Sequence, residues 1–278
     1  MDSAQVDPQI FQLQHRALLI RQDIIKMLAH AHSGHTAGAM GMADIFAALY
    51  FSELNYRSHQ PRWSDRDRLL LSAGHICPVL YAALAQAGFF PHEELQTLRQ
   101  LGSRLQGHPS RTYLPGIENS SGPLGQGLSQ AIGMALVAKL DQKNYRVFCV
   151  LSDGEHDEGQ TWEAILYAGQ KKLSNLIAIV DRNRIQIDGF TEDVLPLESL
   201  ADKYQAFGWH VLEVDGHHFS EILTAFAAAK TIQDKPIVII AHTIPGKGVS
   251  FMENKPEWHG KPPTAEEAKQ ALQELNKL

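Results

Sequence analysis

Short apolar segments alternate along the chain with longer segments in which apolar residues recur every three or four positions. The short segments are rich in Val, Ile and Leu and are bounded by polar turn residues, a pattern typical of buried strands. They predict strands over residues 69–71, 147–151, 176–180, 209–214 and 236–241. The periodic segments predict helices over residues 16–31, 40–51, 76–88, 128–140, 197–207 and 221–230, with a last helix opened by a capping box at 264–267. This alternation indicates an α/β fold: a doubly wound parallel sheet of about five strands with helices on both faces, in one domain over residues 1–278.

The segment from Tyr145 to Gly189 is the most informative part of this pattern. Its two predicted strands end close to Asp153 and Asn183, whose spacing suits one strand–helix–strand unit. In a parallel sheet the carboxyl ends of the strands meet at one edge, where ligands bind. Mg²⁺ accepts carboxylate and amide oxygens, and its remaining positions go to waters and phosphate oxygens. The segment therefore predicts a Mg²⁺ and diphosphate site at this edge.

A glycine-rich loop, GPLGQG at residues 122–127, precedes the predicted helix 128–140. Glycines at a helix start let a ligand approach the backbone N–H groups, and the helix dipole favours an anion there. Such a loop also forms simple tight turns, and the pattern alone leaves both alternatives open. The loop lacks the GxxxxGK[ST] pattern of a P-loop, and no GxGxxG follows the first strand, so a Rossmann-type nucleotide protein is disfavoured.

Several histidines stand next to the predicted elements. His75 follows the strand 69–71, His35 lies in a break between two helices, and His108 and His259 lie in long loops. A histidine at a strand end is well placed to meet a ligand, although a single one is more often structural. Four of them together shift the balance towards a binding or catalytic role.

A zinc site at the N-terminal histidines is an alternative that the sequence disfavours. His30, His32 and His35 are close in the chain, but no nearby Cys or carboxylate completes a ligand set. The two cysteines, Cys77 and Cys149, form no CxxC pair. We interpret them as small buried hydrophobic residues of a protein in a reducing compartment.

Composition places the chain among globular proteins and excludes several partners. Of its 278 residues, 44% are hydrophobic and 20% are charged, and 25 basic residues stand against 31 acidic ones, a net charge of −6. This balance, without a basic stripe, disfavours nucleic acid as a partner. The N-terminus has no basic and apolar signal pattern, and no apolar run has the length of a membrane span. We expect a cytoplasmic protein.

These motifs, taken together, resemble the N-terminal, diphosphate-binding half of a transketolase. The segment SDGEHDEGQTWEA…DRNRIQIDG resembles the thiamine diphosphate signature of that family. The smaller motifs occur in the family's order along nearly the whole chain: SGH at 33–35, SAGH at 72–75, GHP at 107–109, GPLGQG at 122–127, DGH at 215–217 and HG at 259–260. Enzymes that make deoxyxylulose phosphate and dehydrogenase E1 subunits share the Asp…Asn part without the full set of histidines.

The resemblance implies roles for particular residues. The metal ligands for Mg²⁺, or Ca²⁺ or Mn²⁺ in its place, would be Asp153, Asn183 and the backbone carbonyl of Ile185. The residues around thiamine diphosphate would further include His75, Gly122, Pro123, Leu124, Gly154, Glu155 and His259. The catalytic set would be His35, His75, His108 and His259, which line the substrate channel, and Glu158, which links two active sites of a dimer.

The chemistry of the family explains why these residue types are needed. Two phosphates repel each other and any carboxylate, so a divalent cation must join them to protein oxygens. The cofactor supplies the carbon nucleophile and the electron sink, and the protein adds proton transfer to sugar hydroxyls and stabilisation of oxyanions. Histidine suits both tasks near pH 7.

The chain departs from the family pattern in three ways. Ser152 replaces the first glycine of the signature, which leaves Asp153 intact but bears on the local backbone path, and Arg184 replaces a glycine found after the Asn in many relatives. The third departure is length, because a typical transketolase is one chain more than twice as long. The glutamate that activates the cofactor and the arginines that bind a sugar phosphate belong to its later domains.

We therefore expect one subunit of a split transketolase that transfers a two-carbon ketol unit from a ketose, or ketose phosphate, to an aldose. Its partner would be a C-terminal subunit with the pyrimidine-binding domain and the catalytic glutamate, in an α₂β₂ assembly. Two alternatives remain: a non-catalytic or regulatory thiamine diphosphate-binding subunit, and a subunit of another ketol or acyl transferase. The sugars themselves stay open.

Overall fold

The computed structural model describes residues 7–278 and contains a sheet of five parallel strands. In chain order the strands are β1 (Arg68–Leu71), β2 (Val147–Ser152), β3 (Leu176–Arg182), β4 (Ile185–Gln186), β5 (Gly189–Phe190), β6 (His210–Asp215) and β7 (Ile237–His242). The main sheet has the order β1-β2-β3-β7-β6, and β4 and β5 form a separate antiparallel pair. The predicted parallel sheet is confirmed.

Ten α-helices within the described residues connect these strands. They are α1 (Pro8–Ala31), α2 (Ala37–Gly41), α3 (Ala43–Ala48), α4 (Cys77–Gln86), α5 (Gly127–Leu140), α6 (Gly159–Gln170), α7 (Thr191–Val194), α8 (Leu200–Ala206), α9 (Phe219–Ala229) and α10 (Ala265–Leu275). Each predicted helix is present, although several bounds differ.

Side chains of the strands alternate between two hydrophobic cores. Phe148 and Val150 of β2 point into the core that contains α1, α3 and α4, whereas Cys149 and Leu151 point into the core that contains α5 and α6. Successive side chains of a strand face opposite sides of the sheet, so a strand buried on both faces needs an unbroken apolar run. The two cores confirm the doubly wound architecture.

Three local differences have physical causes. Helix α1 begins at Pro8, eight residues earlier than predicted, because the Asp7 side chain caps Gln9 N–H and proline suits the first turn of a helix. The predicted helix 40–51 is divided at Met42 and ends in a π-helical turn. The β4–β5 pair escapes prediction because two-residue strands carry no periodicity.

Three further sequence predictions concern the last helix, membrane spans and the N-terminus. The capping box is confirmed, since the Thr264 side chain and Glu267 each accept from the other's backbone N–H at the start of α10. Among residues 7–278, no helix has the length and apolar character needed to cross a bilayer. The predicted lack of a signal sequence falls partly on residues 1–6, which lie outside the described residues.

Candidate functional site

The carboxyl ends of β2 and β3 bring the two predicted metal ligands together. Ser152 of β2 pairs in register with Asp181 of β3. Asp153 directly follows Ser152, and Asn183 lies two residues after Asp181. Both side chains are buried. The crossover through α6 thus produces the side-by-side arrangement that the spacing predicts.

The Asp153 carboxylate is held by three donors. Its Oδ1 accepts from Gly154 N–H at 2.8 Å, and its Oδ2 accepts from Arg184 N–H at 2.6 Å and from Nη1 of Arg182 at 3.0 Å. Burial raises the pKa of Asp153, while the nearby Arg182 guanidinium acts in the opposite direction. A carboxylate oxygen has two acceptor positions, so Oδ1 keeps one that a cation could take.

The Asn183 amide has a defined orientation. Its Nδ2 donates to Oδ2 of Asp181 at 2.7 Å, and its Oδ1 accepts from Ile185 N–H at 2.9 Å. Asp181 is buried, also accepts from the Thr243 hydroxyl, and has its pKa raised by burial to about 7. Because Nδ2 of Asn183 donates to Asp181, the side-chain atom of Asn183 that is available to a cation is Oδ1, which lies beside Ile185.

The donor chemistry fits a hard divalent cation. One carboxylate, one amide oxygen and one backbone carbonyl are too few for an all-protein cage, but suit Mg²⁺, which keeps waters and phosphate oxygens. Within residues 7–278 no three His, Cys, Asp or Glu side chains group as a metal site. The Asp153–Asn183–Ile185 set contains one such side chain, and its other two oxygens come from an amide and a backbone carbonyl.

Three histidines from distant parts of the chain converge at the same edge of the sheet. The ring centroids of His35 and His75 are 5.1 Å apart, those of His75 and His259 are 5.2 Å apart, and those of His35 and His259 are 5.4 Å apart. Nδ1 of His35 is buried and has no hydrogen-bond partner in the part of the chain that the structure describes. Buried polar atoms without a partner are rare in folded proteins, so this nitrogen is one that a bound polar ligand would satisfy.

Burial keeps these three imidazoles neutral. It lowers the pKa of His75 to about 3 and the pKa of His35 to about 4, and the neighbouring histidines act in the same direction. Burial also lowers the pKa of His259. Neutral imidazoles at pH 7 have a free nitrogen lone pair, so each ring is able to accept a proton.

The zinc alternative finds no support in this arrangement. Nε2 of His30 lies 3.0 Å from the side-chain amide of Gln100. His32 ends α1 with a left-handed backbone, φ 49°. Only His35 of the three faces the histidine cluster.

His108 lies at the rim of the site beside the glycine-rich loop. A Cβ built on Gly122 would lie 3.7 Å from Cγ of His108. The His108 side chain is exposed, and burial of part of the ring, together with Arg99, lowers its pKa. The loop itself packs closely on the end of β1, because a Cβ on Gly74 would stand 2.9 Å from the Gly122 nitrogen.

Glu155 is fully buried and holds the glycine-rich loop. Its carboxylate accepts from the Ser72 hydroxyl, from Gly125 N–H at 2.7 Å and from Ser152 N–H at 3.2 Å. Burial raises the pKa of Glu155 to about 7. Because all three of these donors belong to the loop or to the ends of β1 and β2, Glu155 fits a supporting role for the loop better than the direct cofactor contact that the resemblance implies.

The other predicted residues lie around this edge. Glu158 is exposed and stands at the N-cap of α6. Gly125 has φ 78°, a conformation that favours glycine, and a Cβ there would lie 3.0 Å from Cβ of Glu158. Pro123 is exposed and Leu124 half-buried within the same loop.

The two departures from the family signature are accommodated. Ser152 is the last residue of β2, and its side chain is buried without breaking the register with β3. Arg184 has φ 64°, the left-handed region that glycine adopts at least cost, which accounts for the glycine of many relatives. Both departures leave Asp153 and Asn183 in place.

The structure adds Arg182 and Asp181, to which the sequence assigns no role. Each contacts a predicted metal ligand through its side chain. Little in the sequence indicates such a role for Arg182 and Asp181, because charged residues at a strand end are common. Only burial distinguishes these two.

Comparisons with known proteins agree with this geometry. Residues 14–276 match the family model described as transketolase, thiamine diphosphate binding domain. The chain is 44% identical over 277 residues to the 6-deoxy-6-sulfo-D-fructose transketolase subunit of a Clostridium species, covering 100% of this chain and 99% of that protein. It is 41% identical over 256 residues to an apulose-4-phosphate transketolase subunit of Phocaeicola vulgatus, covering 92% of this chain and 91% of that protein.

Longer transketolases match over their corresponding part. The transketolase of Rattus norvegicus is 42% identical over 270 residues, which are 95% of this chain and 42% of that protein. The solved transketolase of Campylobacter jejuni superposes with a TM-score of 0.90 at 36% identity, covering 95% of this chain and 42% of that chain. The chain belongs to the transketolase family and corresponds to its thiamine diphosphate-binding domain.

Proposed function

We propose that this chain is the cofactor-anchoring subunit of a two-chain transketolase, formed by residues 1–278 as one thiamine diphosphate and Mg²⁺ domain. With its partner it transfers a two-carbon ketol unit from a ketose to an aldose. The observation that carries this proposal is the convergence of His35, His75 and His259 on the sheet edge that also holds Asp153 and Asn183.

In this proposal Asp153, Asn183 and the carbonyl of Ile185 would hold Mg²⁺, which would supply the positive charge that a diphosphate needs beside a carboxylate. Thiamine diphosphate, when bound, supplies a carbon nucleophile and an electron sink. The remaining residues beside it are Gly154, His75, His259 and the loop of Gly122, Pro123 and Leu124, with Glu155 supporting that loop.

The histidines perform the proton transfers. A neutral imidazole accepts the proton of a sugar hydroxyl, and the resulting imidazolium returns it or stabilises a developing oxyanion. The lowered pKa values of His35 and His75 favour the acceptor form before substrate binds. His108, at the exposed rim, would meet the part of the sugar that lies farther from the cofactor.

The printed names of two relatives suggest the substrate class. One acts on a sulfonated ketose and the other on a phosphorylated one. We propose a ketose with an anionic group at its far end, such as a pentose phosphate or a sulfonated hexose, and a partner subunit that reads this group. The partner also supplies the pyrimidine-binding domain and a separate activating glutamate. In this chain, Glu158 links paired sites in an α₂β₂ assembly. The complex is cytoplasmic.

The test is reconstitution of activity from purified components. The chain, its partner subunit, Mg²⁺ and thiamine diphosphate are mixed with a panel of phosphorylated and sulfonated ketoses and a short aldose acceptor. We expect ketol transfer only when all four components are present, and its loss in D153N, which keeps the shape of Asp153 but removes its charge. Cofactor binding without transfer to any acceptor would favour the non-catalytic alternative.

A further inference from the structure

Arg182 is a buried cation that the proposed function leaves without a task. It is the last residue of β3, and its side chain is 1% exposed. An unpaired charge at such a position is strongly unfavourable, so the partners of Arg182 indicate its role.

The two terminal nitrogens of its guanidinium group donate to four side-chain acceptors, whereas its buried Nε has no hydrogen-bond partner among the described residues. Nη1 donates to Oδ2 of Asp153 at 3.0 Å and to the Thr191 hydroxyl at 2.9 Å. Nη2 donates to Oε1 of Glu192 at 2.6 Å and to Oε1 of Glu198 at 2.7 Å. These four bonds use the four hydrogens of the two terminal nitrogens, and a lysine, with three donors on one atom, cannot reproduce them.

This arrangement decides which oxygen of Asp153 faces a cation. Arg182 and the Arg184 N–H together occupy both acceptor positions of Oδ2. Gly154 N–H takes one position of Oδ1, and the other stays open. The guanidinium group therefore fixes the plane of the carboxylate as well as pairing its charge.

The same group ties the carboxylate to a separate segment of the chain. Glu192 and Glu198 are 38% and 50% exposed, yet both reach inwards to Nη2 of Arg182. Glu198 also accepts from Leu200 N–H at the start of α8, and Glu192 from Leu197 N–H. The segment 191–200 is thus anchored to the site through one guanidinium.

We propose that Arg182 is a positioning residue of the metal site, which holds Asp153 with Oδ1 open to the cation and couples that orientation to the segment 191–200. This inference rests on the proposed function, because it needs the metal site. Partners that orient a metal ligand commonly change metal affinity when they are removed.

The test compares three variants of the full chain assembled with its partner. R182M removes the charge and the donors, and R182K keeps the charge without the planar pair of terminal nitrogens. The matched control is R146M, since Arg146 also pairs with two carboxylates, Glu53 and Asp67, but precedes β2 at the opposite edge of the sheet. Mg²⁺ affinity is measured by calorimetry at saturating thiamine diphosphate, and the folded fraction by circular dichroism.

We expect R182M to weaken Mg²⁺ binding by about ten- to a hundredfold, R182K to recover part of this loss, and R146M to bind as wild type does. Hydrogen exchange across 191–200 should increase in R182M even without metal. Equal Mg²⁺ affinity in R182M and wild type, or an equal loss in R146M, would overturn the inference. Failure of the wild-type complex to bind Mg²⁺ would instead reject the proposed function.

A second variant keeps the test valid if R182M does not fold. E192Q/E198Q changes only partly exposed residues and removes two of the three carboxylates that hold Nη2 and Nη1 of Arg182. We expect it to weaken Mg²⁺ binding and to increase exchange across 191–200. Unchanged affinity together with unchanged exchange would show that the segment is not coupled to the metal site.

Discussion

His75 illustrates how burial sets chemistry at the scale of one residue. His75 lies in the short turn that follows β1, its ring packs against two other imidazoles, and burial lowers its pKa to about 3. The unfolded chain holds the same side chain at an ordinary pKa of about 6.5. Folding is therefore linked to proton release from this residue.

This linkage predicts a change in stability with pH. Between pH 6.5 and pH 5 the unfolded chain binds a proton at His75 that the folded chain does not, so the contribution of this residue is complete above pH 6.5 and declines as the pH falls. The decline is about 1.4 kcal/mol per pH unit. We expect urea unfolding of H75Q at pH 7, 6 and 5 to show a correspondingly shallower loss than wild type.

H59Q is the matched control for this measurement, because His59 is an exposed histidine outside the cluster. Equal pH dependence in H75Q and H59Q would contradict the expected linkage. Since His35 also has a lowered pKa, H35Q should change the slope in the same direction as H75Q.

At the scale of secondary-structure elements, one glycine allows α6 to pack closely against the end of α8. A Cβ at Gly169 would overlap the carbonyl oxygen of Phe207 at the end of α8, which is backbone that has little room to move. Gly133 in α5 also lies in a helix, but a Cβ there would meet nothing within 4 Å. The two positions therefore differ in packing while sharing the same helical conformation.

We expect the two alanine substitutions to have opposite signs. G169A should lower the free energy of unfolding by about 2 kcal/mol or more through overpacking. G133A should raise it by about 0.5–1 kcal/mol, because alanine loses less backbone entropy in a helix. Urea unfolding measures both, and an increase in the free energy of unfolding for G169A as well would show that helix propensity, rather than the contact with Phe207, governs Gly169.

Prediction from sequence succeeded best where an unbroken apolar run is bounded by polar residues. The strands over 147–151 and 176–180 differ from β2 and β3 by one or two residues, because both faces of these strands are buried. The predicted helix 40–51 misses the division at Met42, near its start, because the residues around Met42 are mostly apolar and show no change of periodicity there. The start of α1 was missed because its first turns are mostly polar and exposed.

At the scale of the whole molecule, the site is a link between folding and ligand binding. Asp153 and Asn183 come from different strands and converge only when the sheet is formed. A ligand that binds this edge therefore binds the folded state alone, and stabilises it by about 2.7 kcal/mol at a hundredfold excess over its Kd.

We expect Mg²⁺ with thiamine diphosphate to raise the Tm of the assembled protein by several degrees, and EDTA to reverse the increase. The cofactor without metal should have a much smaller effect, because diphosphate and carboxylate repel each other. D153N is the control and should lose most of the shift. An increase that persists in EDTA would contradict a metal-dependent anchor.

The sequence by itself determined the alternation of strands and helices, the family, and the residue types at the strand ends, because these depend on local periodicity and on short motifs. Only the tertiary structure decided that His35, His75 and His259 share one cluster with lowered pKa values, since their burial depends on three distant segments. It also decided that Glu155 supports a loop and that Arg182 faces Asp153. A charged side chain reads the same in a sequence whether it is solvated or buried, and its partners exist only after the sheet has formed.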